Sequence, residues 1–174
     1  MDRAGALRHL CIVGLMGAGK STVAHLVADR LDRPVVDSDL WIETRYGLSG
    51  REITEREGVA ALHAIEATML AEALATPTPA IITPAASVVE DQRSRRLLGE
   101  SAFVVWLDLD PMIAFERSQA GSHRRSATTG DFRRMDRRRR GAFSQVADLR
   151  LDASRPPDEL AGEIAAAVQS SSSS

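Results

Sequence analysis

Apolar residues along this chain fall into short unbroken runs, separated by longer stretches in which they recur every third or fourth position. Leu10 to Val13 is a run of the first kind and predicts a buried strand. Thr22 to Leu31 sets Val23, Leu26, Val27 and Leu31 at helical spacing. Pro34 to Asp37 reads as a second strand, followed by helical Leu40 to Tyr46 and Arg51 to Glu57. A longer helix over Val59 to Ala75 is stopped by Thr76-Pro77-Thr78-Pro79. Ala80 to Thr83 predicts a third strand and Ser87 to Leu98 a helix. Phe103 to Leu107 is the clearest strand, and Pro111 opens the next helix at its first turn. Residues 119–131, "QAGSHRRSATTGD", lack apolar periodicity and read as a mobile loop. A basic helix follows, then a last strand at Leu149 to Leu151 and a last helix at Pro157 to Val168. Such alternation predicts an α/β chain with a parallel sheet covered on both faces. With no internal repeat or linker, residues 1–169 form one domain, and the serines at 170–174 form a disordered tail.

Composition narrows the class. A chain of 174 residues, 44% hydrophobic, has the material for one core. Cys11, the single cysteine, can form no intramolecular disulfide and reads as a small core residue. No stretch approaches the ~20 apolar residues of a membrane span, and the N-terminus lacks a signal-peptide pattern. A cytoplasmic protein with no membrane partner is expected, acting as a monomer or weak dimer. The net charge of −2 gives no general attraction to nucleic acid. One feature of the charge stands out. Of 22 basic residues, Lys20 is the only lysine. Arginine is a wide planar fork and lysine a compact ammonium on a flexible stem, so position 20 points to a tight pocket around a small anion.

The neighbours of Lys20 identify that anion. Gly14 to Ser21 fits G-x-x-x-x-G-K-[ST], the phosphate-binding P-loop, and lies between a predicted strand and a predicted helix as the motif requires. Its backbone N–H groups and the helix N-terminus would cradle phosphate. Gly14, Gly17, Ala18, Gly19, Lys20, Ser21 and Thr22 form the expected ATP contacts, with Lys20 on the β- and γ-phosphates and Ser21 on Mg²⁺.

The second strand ends in "VVDSDLWIE". Ligands in open α/β sheets sit at such strand ends. Asp37 and Asp39 there would bracket Mg²⁺ and an acceptor hydroxyl, because phosphoryl transfer needs a carboxylate to position the nucleophile and take its proton. The plainer alternative is that Asp37 and Ser38 cap the next helix.

Together "GLMGAGKST", "VVDSDLWIE" and "EGVAALHAIE", followed by "FVVWLDLD" and "VADLRLDA", resemble the shikimate kinase family over nearly the whole chain. The resemblance implies a three-layer α/β/α fold with a five-stranded parallel sheet in the order 2-3-1-4-5. It also implies a lid at about 119–131, and transfer of the γ-phosphate of MgATP to a ring hydroxyl of a carboxylated polyol. By position, Asp39 resembles the acidic residue on the acceptor hydroxyl, and Asp37 the one near Mg²⁺. Arg139 resembles the arginine gripping the acceptor carboxylate, Arg124 the lid arginine on the phosphates, and Arg117 the one beside adenine.

Two departures fall on the acceptor side. A second carboxylate-binding arginine belongs in a stretch like "FRxIE", where this chain has "LHAIE" and His63. Histidine offers no bidentate fork; it either contacts the ligand or packs beside Val59 and Leu70. Three consecutive glycines belong after the third strand, where this chain has "TPAAS". Pro84 has no N–H to donate, and Ala85 and Ala86 add methyl groups to that space. The acceptor contacts expected are therefore Asp39, His63, Ala85, Ala86 and Arg139, in a rebuilt pocket. The run "RRMDRRRR" spreads around a helix rather than forming a stripe, and no aromatic platform interleaves with it, so nucleic acid is not an expected partner. Three functions are compatible with these residues. One is a kinase of the shikimate type with a modified acceptor pocket. Another is a gluconate-type or other metabolite kinase. The third is a nucleotide-binding regulator with weakened catalysis.

Overall fold

The computed structural model describes residues 8–119 and 128–171. Five strands, β1 (His9–Val13), β2 (Val35–Asp37), β3 (Ile81–Thr83), β4 (Ala102–Asp108) and β5 (Leu149–Asp152), form one parallel sheet in the order β2-β3-β1-β4-β5. All five residues of β1 are buried, which requires cover on both faces. Helix α1 (Lys20–Leu31) packs on α8 (Pro157–Ser171), while α5 (Gln92–Ser101) packs on both α4 (Val59–Leu74) and α7 (Thr129–Val146). The core is centred on Leu10, Ile12, Ile82, Val104 and Leu107, all fully buried. Cys11 lies within it, and burial pushes its thiol far above the ordinary range. Helices α2 (Ser38–Tyr46) and α3 (Gly50–Glu57) close on α4 through a small separate cluster of Ile42, Ile53 and Leu62. Helix α6 (Pro111–Gln119) meets α7 through an edge-to-face contact of Phe115 and Phe132. No helix among the described residues is long and apolar enough to cross a membrane.

His9 adds a side-chain link between β1 and the segment before β3, beside the Leu10 N–H bond to the Ala80 carbonyl. Its ring is buried, with Nδ1 accepting from the Ala80 N–H and Nε2 placed 3.1 Å from the Thr76 carbonyl. One nitrogen must accept, so the other carries the proton and donates to Thr76.

Polar caps move three element boundaries from those predicted. The helix expected over Ser87 to Leu98 is a 3-10 turn, Ala86–Glu90, followed by α5. Asp91 separates them in extended conformation, and its carboxylate accepts from the Ser94 N–H at 2.7 Å. The loop expected through residue 131 ends at Thr128, which forms a capping box with Asp131 and starts α7. Residues 120–127 lie outside the described part. At the C-terminus α8 runs through Ser170 and Ser171, whose hydroxyls donate to the carbonyls of Ala166 and Val168. The first two serines of the expected tail are thus helical.

Candidate active site

Two glycines shape the turn from β1 into α1. At Gly17, φ is +83° and an added Cβ would lie 2.2 Å from the Ala114 carbonyl oxygen of α6. At Gly14, φ is +152° and the same atom would lie 2.7 Å from the Leu107 carbonyl. The loop is therefore clamped against α6 and the end of β4, and a side chain at either position would force the backbone apart. Ala18 turns inward and is buried, its N–H donating to Leu15. Lys20 folds back over the loop and donates to the carbonyls of Gly14 and Leu15, at 3.0 Å each.

Strand pairing supplies the second group. The register places Asp37 beside Thr83 on β3. Both the Thr83 and the Ser21 hydroxyls donate to Asp37 Oδ2 at 2.7 Å. The other oxygen accepts from the N–H groups of Asp39 and Leu40, at 3.0 and 3.3 Å, and so caps α2. Burial works to raise the Asp37 carboxyl, but the hydrogen bonds from Thr83, Ser21, Leu40 and Asp39 outweigh it and hold it below the ordinary range. The capping reading and the position beside Ser21 are thus one arrangement. Ser38, next along, is buried, and its hydroxyl has no hydrogen-bond partner among the described residues.

These groups line a cleft of about 290 Å³ at the C-terminal ends of the strands. Gly17, Gly19, Lys20, Ser21 and Thr22 line it from the loop and the start of α1, and Asp37, Ser38 and Asp39 from the end of β2 and the start of α2. His63, Pro84, Ala85, Ala86 and Arg139 line it as well. His63 therefore faces the cleft rather than only packing along its helix. Gly14 and Ala18 stand behind the loop and do not line the cleft. Arg117 does not line it either, since Nη1 donates to the Ala153 carbonyl beyond β5. Arg124 lies outside the described residues.

Sequence reasoning missed Thr83, Glu66, Ser87 and Glu90. Glu66 and Ser87 line the cleft, and the Ser87 hydroxyl donates to the buried Glu66 carboxyl. Glu66 had a signal in the sequence: it sits three residues after His63, on the same face of α4. Glu90 accepts from Arg139 Nε at 2.5 Å and from Arg138.

A phosphate-binding loop at the head of this sheet, with a carboxylate facing it across a small cleft, defines a P-loop kinase of small molecules, an enzyme that moves phosphate from ATP to a hydroxyl. The shikimate kinase family matches residues 16–169. A shikimate kinase of Symbiobacterium thermophilum is 34% identical over 149 residues, covering 82% of this chain and 85% of that protein. Shikimate kinase 2 of Escherichia coli O1:K1 is 30% identical over 166 residues, covering 91% and 94%. The shikimate kinase of Acinetobacter baumannii, solved in complex with shikimate, superposes with a TM-score of 0.88 at 23% identity over 95% of each chain. The chain belongs to the shikimate kinase family.

Proposed function

We propose that the chain phosphorylates a hydroxyl of a small polyol or carboxylated acceptor from MgATP, with Asp39 as the base. The observation that carries this reading is that Asp39 lines the same cleft as Lys20 and Ser21. The acceptor O–H gives its proton to the Asp39 carboxylate as oxygen attacks the γ-phosphorus. The bond to the β-phosphate oxygen breaks, and ADP leaves. Lys20 exchanges its loop carbonyls for the β- and γ-phosphate oxygens, and the loop N–H groups hold the triphosphate. Arg117 stands for the adenine side and Arg124 for the closing arginine, both on family likeness.

The donor set suits Mg²⁺. Among the described residues no group of three or more His, Cys, Asp or Glu side chains gathers into a metal cage. Ser21 Oγ and Asp37 Oδ2 instead offer two hard oxygens side by side, and the Asp37 carboxyl is held ionised. Mg²⁺ uses one or two protein oxygens and completes its shell with phosphates and water. When bound it would offset charge on the triphosphate.

The arginine run supports action without nucleic acid, because most of it pairs within the fold. Arg134 meets Asp131, Arg138 and Arg139 meet Glu90, and Arg140 meets Asp108 and Asp136. Function as a monomer or weak dimer is part of the same proposal.

ADP release from MgATP with a panel of polyols, against a no-acceptor control, tests the reading. Acceptor-dependent release is expected, and Asp39→Asn should lower it by about 10²–10⁴-fold while leaving ATP affinity within ~1 kcal/mol. Near-normal turnover in that variant would overturn the role of Asp39. Binding of ATP without turnover on any acceptor would favour the regulator.

A further inference from the structure

The Asp37 carboxylate is held from two directions. Its Oδ1 accepts from the N–H groups of Asp39 and Leu40, which ties one oxygen to the start of α2. The tilt of the carboxylate is then set by whatever meets Oδ2. Two hydroxyls do so at 2.7 Å each, Ser21 from the start of α1 and Thr83 from the end of β3. Ser21 gives its one proton to Asp37, so its lone pairs are left for a cation. Their direction follows the position of Oδ2, and Thr83 fixes that position. Three features make Thr83 a stiff support. It is 3% exposed, so bulk water does not compete for its hydrogen bond. It pairs with Asp37 in the parallel register of β2 and β3, and its branched Cβ restricts the hydroxyl's rotamer. Pro84 follows it, and the proline ring confines the preceding residue to extended backbone. Thr83 is thereby kept in strand conformation at the last position of the strand.

We propose that Thr83, stiffened by Pro84, is a positioning residue for the Mg²⁺ of the nucleotide: by fixing Asp37 Oδ2 it aims the Ser21 hydroxyl, whose lone pairs meet the cation. This rests on the MgATP reading above and adds the end of β3 to the metal-holding side of the cleft. Pro84, which has no N–H to offer a ligand, acts here through the residue before it.

Metal affinity can be read apart from turnover. Mn²⁺, standing in for Mg²⁺, is titrated into the protein–ADP complex with protein in excess over ADP, and free Mn²⁺ is followed by its paramagnetic resonance signal. Thr83→Val keeps the shape and deletes the donor. It should weaken Mn²⁺ binding by about 10–100-fold, the usual effect of removing a group that orients a metal ligand. ADP affinity measured in EDTA should stay unchanged, which a general loss of structure would not allow. Thr83→Ser restores the hydroxyl and should recover most of the metal affinity, while Thr83→Ala, a second variant without the donor, should fall with Thr83→Val. Pro84→Gly should weaken Mn²⁺ binding by a smaller factor and add nothing to Thr83→Val, because it acts through Thr83. Equal Mn²⁺ affinity in the unaltered protein and both donor-free variants would overturn the proposal. So would failure of serine to rescue, or no Mn²⁺ bound by the unaltered complex. Additive losses in the double variant would remove Pro84 from the arrangement. ADP release with the acceptor panel distinguishes the two readings. A metal affinity that depends on position 83 without turnover on any acceptor would sink the kinase reading alone. Acceptor-dependent turnover with Mn²⁺ binding indifferent to position 83 would sink this one alone.

Discussion

Lys20 rests on two carbonyl oxygens of its own loop, so phosphate must be the better partner for its ammonium. Charge-assisted bonds to phosphate are roughly twice as strong as those to neutral acceptors, and the exchange needs only rotation of a flexible stem. Because the chain has one lysine, an amine-directed reagent should modify only Lys20 and the amino terminus. Saturating MgATP is expected to suppress modification at Lys20 and leave the terminus as an internal control. Peptide mapping that finds equal labelling with and without nucleotide would mean the loop does not hold the triphosphate.

Helix α5 depends on one side chain for its start. The Asp91 carboxylate accepts from the Ser94 N–H and hydroxyl, both at 2.7 Å. Asp91→Ala should cost about 1 kcal/mol, or roughly 2–4 °C in Tm for a chain of this size. Asp91→Asn should recover most of that loss. An alanine variant with unchanged Tm would show that packing alone fixes the helix. The same cap explains why the sequence predicted one helix where there are two segments. Apolar spacing reports which face is buried, and Val88, Val89 and Leu98 of that stretch are buried. Caps are polar and local, and periodicity does not register them. The start of α7 at Thr128 escaped for that reason, although Thr128 and Asp131 spell the signature. The site divides along a similar line. Lys20, Ser21, Asp37 and Asp39 were legible because each lies within a contiguous motif. The Arg139–Glu90 and Ser87–Glu66 pairs were not, because their members are 49 and 21 residues apart and meet only in the folded chain.

The stability of the whole chain should weaken in acid. Asp37 and Glu90 both titrate below their ordinary values in the folded protein, whereas the unfolded chain takes up protons near the ordinary ones. Below about pH 4.5 the unfolded state therefore binds protons first. The stability these groups supply at neutral pH is lost as pH falls through their native values. Urea midpoints measured from pH 6 downward should fall across that range, and Glu90→Gln should show a shallower decline. A parallel decline would mean that Glu90 titrates alike in both states. The order of strands has a consequence of another kind. Strand β1 stands between β3 and β2 on one side and β4 and β5 on the other. His63, Glu66 and residues 84–90 all belong to segments flanking β2 and β3, while the loop that holds the triphosphate is clamped to α6 and β4. Heritable change can thus accumulate on one side of the central strand and leave the other intact, so that a lineage acquires a new client for an old reaction.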